Sequence, residues 1–186
     1  MTDATRHRDV IGVLAETALP QSLGSELSRA LTPPVINTTN PQPDRVIAHL
    51  GDNTVSKRSF CLLNQGLWLD DEVINFFTRG IIARAHPGMH AFSAFFWTIL
   101  LEQNSGYNYH GVRRWGQRVN QGIFSLHELY IPVNIGNHHW IFVRIRFKEK
   151  MIEVWNSSGL DPANITYLTH ALHYLHDEYT ATSQAR

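Results

Sequence analysis

A histidine and an asparagine in this chain have the side-chain types and the spacing to form part of a catalytic site. His139 precedes an apolar run that begins at Trp140, and Asn156 follows a second apolar run that begins at Met151. An asparagine oxygen can accept a hydrogen bond from one imidazole nitrogen, which fixes the tautomer and leaves the other nitrogen free as a general base. The pattern therefore predicts a base and its orienting group. An ordinary histidine at a strand end and a turn asparagine would give the same pattern.

The two residues come together only if the runs that carry them pair as a hairpin. From Ile141 onward, every second side chain of residues 140–147 is apolar, which is typical of a strand with one buried face. Residues 148–150 form a polar turn, and residues 151–155 predict the partner strand. Because antiparallel neighbours bring the start of one strand beside the end of the other, we expect the histidine and the asparagine at the same end of the hairpin.

Helical periodicity appears on both sides of the strands. The spacing of apolar residues predicts helices over residues 70–85, 92–102 and 165–179. It predicts a further strand over residues 129–133. The apolar side of the first helix is expected to consist of Val73, Phe76, Phe77, Gly80 and Ile81. Helices, then a cluster of strands, then a closing helix favour an α+β fold over a βαβ repeat.

Composition excludes several classes of protein. The apolar content of 43% and the charged content of 17% are those of a globular chain of one domain. Lys+Arg and Asp+Glu both total 16, so we expect neither nucleic acid nor a membrane surface as a partner. The longest apolar run, residues 91–101, is too short to span a bilayer. The only cysteine is Cys61, which rules out an intrachain disulfide and favours a reducing compartment.

Prolines divide the first part of the chain. Residues 1–21 are expected to be an N-terminal extension, with a short helix over 10–19. Residues 22–45 predict a second short helix, at 25–31, and a linker rich in Asn, Thr and Pro. Residues 46–186 are aromatic-rich and predict the ordered domain.

Six strings in this domain, in the same order, resemble a known family. From Asp52 onward the chain is similar to the SUMO-specific cysteine proteases, the ubiquitin-like-protease/sentrin-protease family. The strings are 68–77 (WLDDEVINFF), 91–96 (AFSAFF), 109–115 (YHGVRRW), 131–134 (IPVN), 139–140 (HW) and 155–157 (WNS). The resemblance implies a papain-like α+β fold with helices packed on a mostly antiparallel sheet. It also implies thiol-dependent cleavage after the Gly-Gly of SUMO in precursors or conjugates.

The resemblance assigns catalytic roles to the residues that opened the argument. His139, and not His138, stands at the family's general-base position, and Asn156 stands at its aspartate position. Asparagine can hold an imidazole in place but supplies no negative charge to stabilise an imidazolium. We therefore expect a weakened thiolate–imidazolium pair.

The resemblance also assigns substrate contacts. Trp68 and Trp140 match two tryptophans that sandwich the Gly-Gly tail of SUMO, where two indoles can clamp a segment without side chains. Core packing is the alternative role for both. Asp71 matches an acidic residue that pairs with a basic residue of SUMO, and Phe95 and Asn134 match further substrate contacts.

The family's nucleophile is not found in the chain. The resemblance places the cysteine and an oxyanion-hole glutamine in a string Q-x-x-x-x-D-C-G after the last helix, and the 186 residues contain no such string. A fragment, a split gene product and a pseudo-enzyme are the open interpretations. Cys61 is a poor substitute, because it lies between Phe60 and Leu62 and is expected to be a small buried hydrophobe. The expectation is an incomplete catalytic domain that performs no acyl transfer.

Two functions thus remain open, with SUMO or a related ubiquitin-like protein, such as NEDD8, as the partner. One is a thiol-dependent peptidase or isopeptidase, and the other is a catalytically inactive SUMO-binding module. No cofactor is expected. His170, His173 and His176 recur at three-residue spacing without a nearby cysteine and are expected to form a solvated helix face and not a zinc site. A nuclear or cytoplasmic location follows from the family analogy.

Overall fold

The structure is a computed structural model that describes residues 45–64, 66–83, 86–102, 106–159 and 163–184. The helices expected at 10–19 and 25–31, and the linker that follows them, lie outside these residues.

A four-stranded sheet carries the fold, helices pack against it, and the described residues also form two separate two-stranded hairpins. The elements are β1 (Val46–Leu50), β2 (Asn53–Ser56), α1 (Lys57–Cys61), α2 (Asp71–Asn75), a π-helix (Phe76–Ile82), β3 (Met89–Ala91), α3 (Phe95–Leu100), β4 (Leu101–Glu102), β5 (Gly106–Tyr107), α4 (Tyr109–Gln117), a 3₁₀ turn (Ile123–Ser125), β6 (Glu128–Ile135), β7 (His139–Arg146), β8 (Met151–Trp155) and α5 (Ala163–Gln184). This arrangement confirms the α+β class.

The sheet has the strand order β3-β6-β7-β8. The β6–β7 and β7–β8 pairs are antiparallel, whereas β3 runs parallel to β6, so the sheet is mixed and mostly antiparallel. The predicted hairpin is present, with Arg146 opposite Met151 next to the turn and Phe142 opposite Trp155 at the far end. The register brings the start of β7 and the end of β8 to the same end of this strand pair.

Alternation in the central strands builds the core. Side chains at 129, 131 and 133 of β6 and at 141, 143 and 145 of β7 are all buried. They face α3 and α5, which contribute Phe96 and Tyr174, and the ring centroids of these two aromatic residues lie 5.0 Å apart in an edge-on arrangement. Burying a large apolar side chain contributes about 1.5–3 kcal/mol to stability, so this layer holds the β6–β7–β8 register in place.

The helix expected over 70–85 differs from the prediction. It changes from α to π geometry at Phe76, and the side chain of Phe77, expected to face inward, is 41% exposed. Thr78 is buried in its stead and donates a hydrogen bond of 2.8 Å to the carbonyl of Ile74. A π turn takes more residues than an α turn, so the α-helical period no longer predicts which side chains face the core.

Other boundaries also differ. The second predicted helix is shorter, since α3 ends at Leu100 and the chain continues as β4. The last helix, α5, is longer than predicted. The sequence patterns above do not predict the β1–β2 hairpin, β3 or α4. Among the described helices, none has the length and apolarity needed to cross a bilayer.

Candidate active site

The turn between β6 and β7 fixes where His139 begins its strand. Gly136 and Asn137 adopt positive φ angles of 58° and 59°, a left-handed conformation that glycine and asparagine tolerate best. The backbone N–H of Asn137 donates to Oδ1 of Asn134 over 2.8 Å and closes the turn. Ile135 then pairs with His139, which becomes the first residue of β7.

His139 and Asn156 form the predicted hydrogen bond. The Nε2 atom of His139 lies 2.8 Å from Oδ1 of Asn156. Because an amide oxygen only accepts, Nε2 carries the proton and Nδ1 keeps its lone pair. The hydroxyl oxygen of Ser158 lies 3.3 Å from the same Nε2 atom. Nδ1 makes no hydrogen bond with another described residue, so it is available as a general base.

Asn156 is itself held in one orientation. Its Oδ1 also accepts the backbone N–H of Ser158 over 2.9 Å, and its Nδ2 donates to Oδ1 of Asn164 over 3.2 Å. Asn164 is buried in the first turn of α5, and its own Nδ2 donates to the carbonyl of Gly159 over 3.4 Å. If the Asn156 amide were flipped, its NH₂ group would point at two other donors, the Nε2–H of His139 and the backbone N–H of Ser158. The network therefore keeps the oxygen toward His139.

Sequence reasoning missed Asn164. The only signal was indirect: an asparagine at the position of an aspartate has an extra N–H group that needs an acceptor. The acceptor stands eight residues further on and in another element. Its proximity depends on how α5 docks beside the end of β8, which the local sequence does not show.

The structure brings the segment of Trp68 next to β7. The indole N–H of Trp140 donates to the carbonyl of Leu69 over 2.7 Å. Trp140 is half-buried, whereas the side chain of Trp68 is 63% exposed. A core role for Trp68 is therefore wrong. An exposed indole in a segment bound to the strand that begins at His139 is typical of a binding surface.

Neighbouring carboxylates fix the Trp68 segment. Asp70 caps α2 by accepting the N–H of Val73 over 3.1 Å, and it accepts the hydroxyl of Ser59 over 2.5 Å. Glu72 accepts both the N–H and the hydroxyl of Ser56, over 3.0 and 2.7 Å. Burial alone would raise the pKa of Glu72, but hydrogen bonds from Ser59 and Ser56 outweigh it and hold the pKa below its usual value.

Asp71 differs from these two neighbours. Its half-exposed carboxylate has no hydrogen bond or ion pair with any residue that the structure describes. Phe95, the first residue of α3, is 53% exposed. Both are accessible for contact with another molecule. The Oδ1 atom of Asn134 accepts one hydrogen bond in the β6–β7 turn, and its NH₂ group remains available for such a contact.

Cys61 ends α1, which packs mainly on β2 and α2. The side chain is partly exposed, although the sequence predicts a buried one. No hydrogen bond within the described residues joins its thiol to His139. The chain's single cysteine is therefore not placed as a nucleophile in this site.

The helix histidines contact aromatic and backbone groups. The ring of His170 stacks on Tyr107 with centroids 6.0 Å apart, and the ring of His173 meets Tyr107 edge-on at 5.8 Å. Nδ1 of His170 lies 2.7 Å from the carbonyl oxygen of Thr166. In the described ranges, no three His, Cys, Asp or Glu side chains form a group able to hold a metal ion.

Comparison with known proteins identifies the protein family. The model of the Ulp1 protease family, C-terminal catalytic domain, matches residues 67–186. The structure resembles the C-terminal Ulp1 protease domain solved in complex with Smt3, the yeast ortholog of SUMO, with a TM-score of 0.70, 27% identity and coverage of 88% of this chain and 69% of that one. It also resembles the SUMO protease Ulp1 with its catalytic cysteine oxidised to a sulfinic acid, with a TM-score of 0.69, 27% identity and coverage of 87% and 68%.

Curated relatives agree with this match. The chain is 32% identical over 126 residues to ubiquitin-like-specific protease 1 of Saccharomyces cerevisiae, which covers 67% of this chain and 20% of that protein. It is 30% identical over 140 residues to sentrin-specific protease 2 of Mus musculus, which covers 73% and 22%. The chain belongs to the Ulp1 protease family. It spans about a fifth of the length of these two curated relatives.

Proposed function

We propose that this domain binds the C-terminal Gly-Gly tail of SUMO or a related ubiquitin-like protein and supplies the general base for thiol-dependent cleavage after that tail. The observation that carries the proposal is the 2.8 Å hydrogen bond between His139 and Asn156, at the strand end where Trp140 binds the Trp68 segment. Family membership supports it, since the solved relative is in complex with a SUMO.

The chemistry assigned to His139 is proton transfer. Nδ1 takes the proton of a thiol, and the thiolate attacks the carbonyl carbon of the second glycine. The imidazolium then returns that proton to the leaving amine, and water hydrolyses the thioester. Asn156 keeps the imidazole in the tautomer that this sequence of steps requires. Cys61 is not assigned the role of the thiol, since it lies on α1, which packs mainly on β2 and α2, and forms no hydrogen bond with His139 among the described residues.

The substrate contacts are assigned to exposed groups around the strand end. Trp68 and Trp140 are proposed to enclose the two glycines, because an indole on each side leaves no room for a larger side chain. Asp71 is proposed to pair with a basic residue on the partner's surface, and Phe95 and Asn134 to make further contacts. The exposure of Trp68 and Phe95 and the free carboxylate of Asp71 support this assignment.

A catalytically inactive SUMO-binding module is the second candidate. The neutral amide of Asn156 favours it, because an amide stabilises an imidazolium less than a carboxylate does. The position of Cys61 favours it as well. Both candidates use the same binding surface and differ only in turnover.

The domain boundaries and the location in the cell are also proposals. We assign residues 46–186 to the catalytic domain, with residues 22–45 as a short helix and linker and residues 1–21 as an extension. The packing of the β1–β2 hairpin on α2 supports the inclusion of residues 46–66, which the family match does not cover. A nuclear or cytoplasmic location is proposed by analogy with the family.

Binding of SUMO to three single variants tests the substrate surface. Trp68→Ala should weaken binding by about 2 kcal/mol or more, the usual cost of truncating a central aromatic anchor. Asp71→Asn should weaken it less, and its effect should shrink as salt is raised. Leu67→Ala, at a neighbouring side chain that is 53% exposed, is the matched control and should bind like the parent chain. If Leu67→Ala and Trp68→Ala are equally mild, the assignment of the tail clamp is wrong.

A further inference from the structure

A cavity of about 210 Å³ lies away from the candidate active site. It is enclosed by the π-helix, β3 with the residues that follow it, and α4. Its lining consists of Arg79, His90, Ala91, Phe92, Ser93, Trp115 and Arg118. We refer to it as the Arg79–Arg118 pocket.

The polar groups of this pocket lack partners within the described part of the chain. Arg79 and Arg118 are both exposed and form no ion pair there. The ring nitrogens of His90 make no hydrogen bond to a described residue, and the ring packs edge-on against Phe92 with centroids 5.6 Å apart. Ser93 is 7% exposed, and its hydroxyl also has no hydrogen-bond partner among those residues. These groups are therefore available to a ligand that enters the pocket.

The charged side chains that line the pocket are positive. Burial first, and then the positive charge of Arg79, lower the pKa of His90 below its usual value. Arg79 and Arg118 are the charged groups of the neighbouring elements that line the pocket beside His90, and none of the described carboxylates lines it. The strand partner of His90 on β6 is the apolar Leu129. Elsewhere the chain neutralises a guanidinium, as in the 2.6 Å ion pair of Arg144 with Glu128.

The pocket is separate from the site at His139. His90 pairs with Leu129 near the start of β6, whereas His139 pairs with Ile135 at its end. These two positions of β6 are six residues apart along the strand, which corresponds to about 20 Å. A ligand in the pocket would therefore not occupy the space proposed for the Gly-Gly tail.

We propose that the Arg79–Arg118 pocket binds the phosphate group of a phosphorylated serine or threonine side chain. A phosphate monoester carries about two negative charges, which matches the two guanidinium groups, and its oxygens accept hydrogen bonds from their planar N–H forks. The Ser93 hydroxyl and the His90 imidazole supply further donors. The cavity is larger than a phosphate group, and its walls at Phe92 and Trp115 are apolar. The remaining space suits the peptide that carries the phosphate.

The test is a titration of the ¹⁵N-labelled 186-residue chain, followed by NMR. The probes are a short phosphoserine peptide, the same peptide without phosphate, inorganic phosphate and acetate. We expect saturable shifts at residues 79, 90, 93 and 118 with the phosphopeptide, and none at His139. Inorganic phosphate should bind the same residues more weakly, because it makes no contact with the apolar walls. Acetate and the unphosphorylated peptide should not saturate.

Charge-neutral variants identify the groups that bind the phosphate. Arg79→Gln and Arg118→Gln should each weaken phosphopeptide binding by about tenfold, as expected for the loss of a charged hydrogen-bond donor. Arg113→Gln removes an exposed arginine on α4, the helix that Arg118 follows, outside the pocket, and should leave affinity unchanged. Saturation with the phosphopeptide should also raise the pKa of His90, measured from its imidazole shifts, since the bound anion offsets the charge of Arg79.

Three results would overturn the proposal. The first is equal loss of affinity in Arg113→Gln and in the two pocket variants, which would indicate attraction by overall charge. The second is equal binding of acetate and phosphate, which excludes a phosphate site. The third is equal binding of inorganic phosphate and the phosphopeptide, which excludes a carrier chain in the cavity. Both arginines are exposed, so the variants should retain the parent's thermal unfolding midpoint, and a failure of SUMO binding would not affect these outcomes.

Discussion

The Nε2 atom of His139 lies 2.8 Å from the Oδ1 atom of Asn156, so the imidazole keeps the lone pair on its other nitrogen, Nδ1. The relationship depends on two elements that meet at one sheet edge: the turn before β7 and the end of β8. It also depends on Asn164, which accepts a hydrogen bond from the amide of Asn156 and thereby keeps the oxygen toward the histidine.

Removing Asn164 should disturb the tautomer of His139. In Asn164→Ala, the NH₂ group of Asn156 loses its acceptor, and the amide becomes free to rotate. We expect the ¹⁵N spectrum of the His139 ring to change from one tautomer to a mixture. Asn120→Ala, in an exposed turn, is the control and should leave the ring signals unchanged. A single unchanged tautomer in Asn164→Ala would mean that Ser158 alone orients Asn156.

Trp140→Phe should loosen the segment of Trp68. The substitution keeps an aromatic ring but removes the 2.7 Å hydrogen bond to the carbonyl of Leu69, at a cost of about 1 kcal/mol. Amide hydrogen exchange should become faster around residues 67–69, and SUMO binding should weaken. Trp155→Phe on the adjacent strand provides the comparison, since that indole packs on Arg144 at 5.1 Å and does not contact this segment. Equal exchange in both variants would show that Trp140 does not hold the segment.

The 186-residue chain should not cleave a SUMO C-terminal reporter in a thiol-dependent way. Its only cysteine lies on α1, and a base without a thiolate cannot form the thioester intermediate. Release of the reporter's fluorophore would be compared with that of His139→Ala. Turnover that is lost in both His139→Ala and Cys61→Ser would contradict this prediction and make Cys61 the nucleophile.

We expect the free energy of unfolding to depend on pH through the carboxyl of Glu178. Burial raises the pKa of this carboxyl above its usual value, and the hydroxyl of Tyr109, which donates a 2.8 Å hydrogen bond, offsets only part of that effect. The folded state therefore binds the proton more tightly than the unfolded state. Stability is greatest below the unfolded-state pKa and is lost as pH rises through the higher folded-state value.

Glu178→Gln removes this titration while keeping the size of the side chain and an acceptor for Tyr109. At about pH 7 the variant should unfold at a higher temperature than the parent, and the difference should shrink toward about pH 4. Asp177→Asn alters the neighbouring carboxylate, which is less buried and accepts the hydroxyl of Tyr107, and serves as the control. Parallel curves for parent and Glu178→Gln would show that Glu178 has no such effect.

The sequence predicts the hairpin well because its evidence is local. The alternating apolar residues of β7, the polar turn and the bounds of β8 are all visible in a short window, and they place His139 and Asn156 at one end. The geometry of the π-helix is not visible, because it depends on packing and not on the α-helical period.

The groups that complete the two sites are distant in the chain. Asn164 comes near Asn156 only when α5 docks, and Trp140 contacts Leu69 across 71 positions of sequence. The Arg79–Arg118 pocket takes its lining from the π-helix, from β3 with the residues that follow it, and from the end of α4. Single-sequence patterns show the strands that bear the functional residues, but tertiary contacts decide which side chains meet.

Titration of the chain against SUMO with and without its two terminal glycines tests the central claim most directly. If Trp68 and Trp140 enclose the Gly-Gly tail, removal of the glycines should weaken binding by about tenfold or more, since the contact of two aromatic anchors is lost. The Trp68→Ala variant should bind both forms of SUMO with the same low affinity. Unchanged affinity of the parent chain for SUMO without the glycines would contradict the account and show that the two tryptophans do not form a tail clamp.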